Sequence, residues 1–216
     1  MSKRDFLSFN DVTATECKAL LDLALWMKSG EYADRPRAGQ SIALIFAKSS
    51  TRTRVSFEVG ARQLGAEPIF LSSRDIQLGR GEPIRDMARV LSRYVDGIMI
   101  RTFAQRDVEE LARFAAVPVI NGLTDLLHPC QLLADLLTIR EHRGALAGQT
   151  IAFIGDGADN MVHSYLLAGA TAGMHVRIAC PMDYLPKDSV VADADAVAAT
   201  TGGSVSIYTD PIEAAA

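Results

Sequence analysis

The spacing of apolar and polar positions changes repeatedly along the chain, and each change marks an element. Thr13-Ala-Thr-Glu16 has the form of a capping box, and Leu20, Leu21, Leu25 and Trp26 behind it predict a helix that stops at Gly30. Residues 42–47 form a continuous apolar run, the pattern of a strand covered on both faces. A segment of helical length follows over 51–64, with Val55 and Val59 on one face, and residues 68–71 read as a second strand. After a polar loop over 72–82, Pro83 suits the first residue of a helix whose stripe is Ile84, Met87, Leu91, Tyr94 and Val95. Residues 97–100 and 117–120 read as strands, with a helix starting at Asp107 between them and a turn signal at Asn121-Gly122. Pro129 then opens a leucine-rich helix.

A polar, glycine-containing stretch over 141–149 is the best candidate for a domain boundary. Beyond it the alternation resumes as strand 150–154, helix 159–171, strand 175–179, helix 189–200 and strand 204–208. Strands alternating with helices and no hairpin signals predict an α/β protein with two doubly wound parallel-sheet domains, 1–141 and 149–216. The second has only three strands, and Asp210-Pro-Ile-Glu reads as a helix start that is cut off, so this domain is expected to be incomplete. Its last strand is then expected to be an exposed edge.

Composition narrows the function classes. The 216 residues are 49% hydrophobic and 22% charged, ordinary globular values, with a formal net charge of −4 that offers no broad basic field for nucleic acid. No apolar run is long enough to span a bilayer, and the start has no secretory h-region, which together suggest a cytoplasmic protein. Cys17, Cys130 and Cys180 form neither a disulfide framework nor a metal-ligand pattern, and His142, His163 and His175 form no ligand cluster, so neither metal nor cofactor is expected.

The most specific chemistry lies in Phe46-Ala-Lys-Ser-Ser-Thr-Arg-Thr-Arg54, between a buried strand and a helix. A helix start offers free N–H groups and the positive end of the dipole. Ser50, Thr51 and Thr53 add hydroxyls, and Arg52 or Arg54 adds a guanidinium fork, together an anion site suited to phosphate. The alternative is a capped helix with two solvated arginines. Arg101 past its strand and His128 before Pro129 carry the same choice between site and surface, and Cys130 reads as packed. Gly155-Asp-Gly157 follows a strand, but Asn160 stands where a dinucleotide fingerprint has its third glycine.

Ser50-Thr-Arg-Thr-Arg54 after an apolar strand resembles the carbamoyl-phosphate signature of the aspartate and ornithine carbamoyltransferases. Asp75-Ile-Gln-Leu-Gly79, residues 88–101, Asn121-Gly-Leu-Thr-Asp125 and His128-Pro-Cys-Gln131 are similar to the ornithine branch, which Lys48 also favours. The resemblance implies transfer of the carbamoyl group of carbamoyl phosphate to the side-chain amine of L-ornithine, giving L-citrulline and phosphate. It implies that Ser50, Thr51, Arg52 and Thr53 hold the phosphate and that Arg101 and His128 meet the carbamoyl oxygen. Gln131 would bond the carbamoyl NH2, and Asn160 the α-amino-acid group of ornithine. It further implies a homotrimer in which the loop carrying Gln77 reaches a neighbouring subunit.

Family members continue to an Asp and a Ser-Met-Gly loop for ornithine, then to a His-Cys-Leu-Pro segment; none occurs here, so the sequence reads as the amino-terminal two-thirds of such an enzyme. The alternatives are a non-catalytic paralogue that binds carbamoyl phosphate or a full-length partner, and a relative acting on putrescine or an acylated ornithine. A nucleotide-dependent dehydrogenase rests on Gly155-x-Gly157 alone.

Overall fold

A computed structural model of the chain describes residues 3–72 and 82–216. By packing, the chain divides into two compact units. One comprises the residues up to Leu7 and Ala33–Asp125; the other comprises Ser8–Tyr32 and Leu126–Ala216. The sequence boundary at 141–149 lies inside the second of these, because helix α1 (Ala14–Lys28) groups with the chain beyond Leu126.

The first unit is built on β1 (Ser41–Phe46), which continues through α2 (Thr51–Gln63), β2 (Glu67–Ser72), α3 (Ile84–Leu91), β3 (Gly97–Arg101), α4 (Gln105–Phe114) and β4 (Val119–Leu123). All strands pair in parallel in the order β2-β1-β3-β4. The chain therefore steps outward from β1 to β2 and then crosses back over β1 to β3. Right-handed crossovers in opposite directions put their helices on opposite faces. The core follows this division. Ala43, Ile45, Ile98 and Ile100 pack with Met87, Val108 and Leu111 from α3 and α4, while Leu44, Phe46 and Met99 pack with Phe57 and Phe70 on the other side. Ala43 to Phe46 are all buried, which is why the strand is apolar at each of these positions.

The edge of β4 is protected by the amino-terminal segment. Phe6 pairs with it in parallel, giving its N–H to Val119 O at 2.9 Å and accepting the Asn121 N–H at 2.9 Å. Lys3 reaches the last turn of α4 and gives hydrogen bonds to Ala112 O and, at 3.1 Å, to Ala115 O, a cation where the helix dipole is negative.

In the second unit the capping box at the start of α1 is complete: Thr13 Oγ1 accepts the Glu16 N–H at 3.2 Å, and Glu16 Oε2 accepts the Thr13 N–H at 2.9 Å. Helix α1 packs beside α5 (Pro129–Arg143). Asp22 takes both Lys18 and Arg140, and Lys28 meets Glu141 at 2.6 Å. Then come β5 (Thr150–Ile154), α6 (Asn160–Thr171), β6 (His175–Ala179), α7 (Asp188–Thr201), β7 (Ser204–Tyr208) and the short α8 (Pro211–Ala215). The parallel sheet has the order β5-β6-β7, so β7 is an edge strand and β6 the covered one. Among the described residues no helix is long and apolar enough to cross a membrane.

Val55 and Val59 share a face of α2, as their spacing predicts, and that face is exposed. Two sequence expectations need correction. Tyr94 is 76% exposed because α3 ends at Leu91, one turn before the predicted stripe does. The Asn121-Gly122 signal makes no turn: both residues lie inside β4, and Asn121 is fully buried. Its amide gives hydrogen bonds to Leu7 O at 3.0 Å and Gln105 Oε1 at 3.4 Å, so tertiary partners replace the local bond a turn would supply.

Gly122 serves close packing. A Cβ there would lie 2.5 Å from Met99 Sδ and 3.2 Å from Ile100 O, and Met99 is itself fully buried. Gly122→Ala is expected to lower the unfolding free energy by about 1–3 kcal/mol through overpacking, read from urea midpoints at an unchanged slope.

Candidate functional site

The first unit assembles Ser50, Thr51, Arg52, Thr53 and Arg101 at the carboxyl ends of β1 and β3. Ser50 caps α2 in an extended conformation, its Oγ accepting the Thr53 N–H at 3.3 Å and bonding Thr53 Oγ1 at 2.9 Å. The preceding loop is tied to β3, for Arg101 O accepts the Ala47 N–H at 2.9 Å. Arg101 Nη1 in turn donates to Thr53 Oγ1 at 3.4 Å. Its Nε is buried with no hydrogen-bond partner among the described residues, and burial pushes the guanidinium's pKa down from its ordinary value. A desolvated guanidinium N–H with no protein acceptor is costly unless an anion or polar ligand meets it.

The two arginines of the motif separate. Arg54 is bound to Glu58 at 2.8 Å and stacks over the Phe70 ring at 3.5 Å from its centroid. Arg52 is exposed on the first turn and makes no ion pair among the described residues, which leaves its fork for a ligand. Lys48 is held to Asp125 at 3.1 Å.

The second unit assembles His128, Gln131 and Asn160 around the start of α6. His128 precedes Pro129 at the amino end of α5, and its backbone N–H donates to Ser164 Oγ at 2.7 Å. The same hydroxyl gives its proton to Asn160 O at 2.6 Å, so one buried serine joins the His128 and Asn160 backbones. Gln131, on the next turn, is exposed and donates from Nε2 to Asp135 at 2.9 Å. His163 is buried beside Ser164. Its Nδ1 lies 3.2 Å from Leu126 O, and its Nε2 accepts the Lys187 N–H at 3.1 Å, which makes Nδ1 the protonated nitrogen. Burial lowers the His163 pKa, and Lys187 adds to that, while the hydrogen bond to Leu126 and the charges of Asp159 and Asp156 oppose it.

Ser164 and Asp135 have no place in the sequence reading, and His163 enters it only as a histidine outside any ligand cluster. Only the Gln131 and Asp135 spacing, four apart on one helix, carried a signal. Gln77 lies outside the described residues. Burial drives the Cys130 thiol up to about 12 and Cys17 to about 11, so both are poor nucleophiles at neutral pH. Among the described residues no group of three His, Cys, Asp or Glu side chains could hold a metal ion.

At the carboxyl ends of β5 and β6 lies a cavity of about 560 Å³ whose walls include Ile154, Gly155, Cys180, Tyr184 and Pro211. The glycine that suggested a dinucleotide turn has another use. A Cβ on Gly157 would stand 2.4 Å from Tyr184 O and 2.6 Å from Cys180 Sγ, so its bare Cα admits the protein's own chain.

Two parallel α/β units of this topology have counterparts among known proteins. Residues 4–141 match the carbamoyl-P binding domain of the aspartate/ornithine carbamoyltransferases, and residues 147–216 match their Asp/Orn binding domain. The chain belongs to the aspartate/ornithine carbamoyltransferase family. Among its relatives, the ornithine carbamoyltransferase of Clavibacter sepedonicus is 58% identical over 212 residues, 98% of this chain and 69% of that protein. That of Symbiobacterium thermophilum is 52% identical over 97% of this chain and 68% of the relative. The solved ornithine carbamoyltransferase of Pyrococcus furiosus superposes with a TM-score of 0.93 at 46% identity, over 99% of this chain and 69% of that one. The enzyme from Gloeobacter violaceus gives 0.90 at 48% identity, over 99% and 71%.

The His163 geometry carries a pH dependence. Its folded pKa lies below the ordinary value of 6.5, so below that pH the unfolded chain binds the extra proton and folding opposes it. The contribution is therefore intact above about pH 6.5 and is lost as pH falls through the folded value. Urea midpoints measured from pH 7.5 to 5 are expected to decline, and the decline is expected to be shallower in His163→Gln.

Proposed function

We propose that this chain transfers the carbamoyl group of carbamoyl phosphate to the side-chain amine of L-ornithine, giving L-citrulline and phosphate. The observation that carries the reading is the half-buried Arg101 beside the capped start of α2, with its buried Nε lacking an acceptor among the described residues and Nη1 3.4 Å from Thr53 Oγ1. Family membership and the ornithine carbamoyltransferase relatives support the choice of substrates.

In this reading Ser50, Thr51, Arg52 and Thr53 hold the phosphate with backbone N–H groups, hydroxyls and one guanidinium fork. The neutral amine of ornithine attacks the carbonyl carbon, and negative charge develops on the carbamoyl oxygen. Arg101 and His128 donate hydrogen bonds to that oxygen and lower the barrier. The bond from carbon to the bridging oxygen then breaks, phosphate leaves with the electron pair, and the proton lost by the attacking nitrogen ends on that phosphate. Gln131 accepts from the carbamoyl NH2, and Asn160 takes the α-amino-acid group. The functional division is 1–141 for carbamoyl phosphate and 149–216 for the amino acid. A cytoplasmic homotrimer is the assembly and location that go with this reading.

Arg52→Ala is expected to weaken binding of phosphonoacetamide, a non-hydrolysable analogue of carbamoyl phosphate, about 10- to 100-fold by calorimetry, the worth of a charge-assisted bidentate contact. Citrulline formation from carbamoyl phosphate and ornithine is expected in the wild type and not in His128→Ala. Equal analogue affinity in wild type and Arg52→Ala would refute the phosphate assignment. Product from putrescine but not from ornithine would reassign the acceptor.

A further inference from the structure

The amide of Gln131 has an accepting end and a donating end of nearly equal shape, and only its neighbours decide which is presented. Asp135, one helical turn along α5, stands 2.9 Å from Nε2. An ionised carboxylate only accepts, so it pairs with the NH2 end and leaves the carbonyl Oε1 for another partner. A pair spaced four residues apart on an exposed helix face is ordinarily loose. Here the second carboxylate oxygen is gripped from the neighbouring helix, for the Tyr165 hydroxyl donates to Asp135 Oδ2 at 2.7 Å. Tyr165 is itself held, its ring 6.4 Å from that of Phe153. Burial, then the adjacent carboxylate, raise its pKa well above the ordinary tyrosine value, so the hydroxyl remains a donor across the working pH range.

We propose that Asp135 and Tyr165 are positioning residues that present Gln131 as a hydrogen-bond acceptor, so that the site distinguishes a carbamoyl NH2 from a group of the same size without a donor. The inference rests on the assignment of Gln131 made above and extends it from contact to selectivity. A carboxylate anchored by a second helix keeps the glutamine amide from turning over. Turned over, it would set its own NH2 against that of the substrate.

The test compares two ligands that share a phosphonate and a carbonyl and differ only in NH2 against CH3: phosphonoacetamide and acetonylphosphonate. The wild type is expected to prefer the amide. In Asp135→Asn the new side-chain NH2 can pair with Oε1 of Gln131, and the preference is expected to fall about tenfold, the worth of one hydrogen bond. Affinity for acetonylphosphonate is expected to stay unchanged. Tyr165→Phe keeps the ring packing and is expected to show a smaller fall in the same ratio. A preference unchanged in Asp135→Asn, with binding still weakened in Arg52→Ala, overturns the positioning role and leaves the phosphate assignment standing. Equal losses for both ligands also overturn it, since they report a structural role only. Failure of the wild type to bind either ligand overturns both readings.

Discussion

Parallel pairing constrains this chain more than any other interaction. Two neighbouring parallel strands cannot be joined by a hairpin, so every return passes through a helix, and every strand of a sheet delivers its carboxyl end to the same edge. In the first unit this brings the end of β1 beside the end of β3, and Arg101 O then receives the Ala47 N–H directly. The loop 47–50 and Arg101 are neighbours because their strands are, although some fifty residues separate them in the chain. Burial of β1 on both faces makes the edge rigid: residues 43–46 are held between α2 on one side and α3 with α4 on the other. A helix start placed at the end of such a strand has little freedom to move, which preorganised donors require.

The polar groups near these edges follow one rule, that a desolvated donor or acceptor has a fixed partner unless it is kept for a ligand. His163 has both ring nitrogens engaged, and Ser164 both receives and donates. Asp135 is satisfied from two helices. The buried Arg101 Nε, by contrast, has no hydrogen-bond partner among the described residues. The contrast between Arg52 and Arg54 has the same logic. Glu58 and the Phe70 ring fix Arg54, and the Arg52 fork two residues earlier makes no ion pair among the described residues.

Much of this was legible in the residues. The seven strands among the described residues fall within a few positions of their predicted runs, and β1, buried over residues 43–46, has the plainest signal. The Ser50 cap of α2 was legible for a local reason, as the capping hydroxyl and the N–H it accepts lie three residues apart. What was hidden depends on distant neighbours. Asn121-Gly122 has the composition of a turn, yet Leu7 and Gln105 supply the amide's partners and Met99 fills the space beside the glycine. Ser164 gives no sign in sequence that its hydroxyl accepts the His128 N–H, because the two are thirty-six positions apart. Tyr94 misled for the opposite reason: the apolar period ran on after the backbone had turned.

The turn at Gly155-Asp-Gly157 shows why packing must be read before a motif is given a ligand. A dinucleotide site uses its second glycine so that a pyrophosphate can approach the backbone, and it needs open space there. At Gly157 that space holds the Tyr184 carbonyl and the Cys180 sulfur, with the 3-10 turn Met182–Tyr184 folded against the glycine. The residue type is the one the motif demands, but the occupant is the protein itself. What the turn does deliver is Asp159 as the cap of α6, its carboxylate accepting the Met161 N–H at 2.7 Å. That cap fixes where α6 begins, and hence where Asn160, His163, Ser164 and Tyr165 stand on its first turns. The glycine turn thereby sets the register of the helix on which the candidate histidine and glutamine depend.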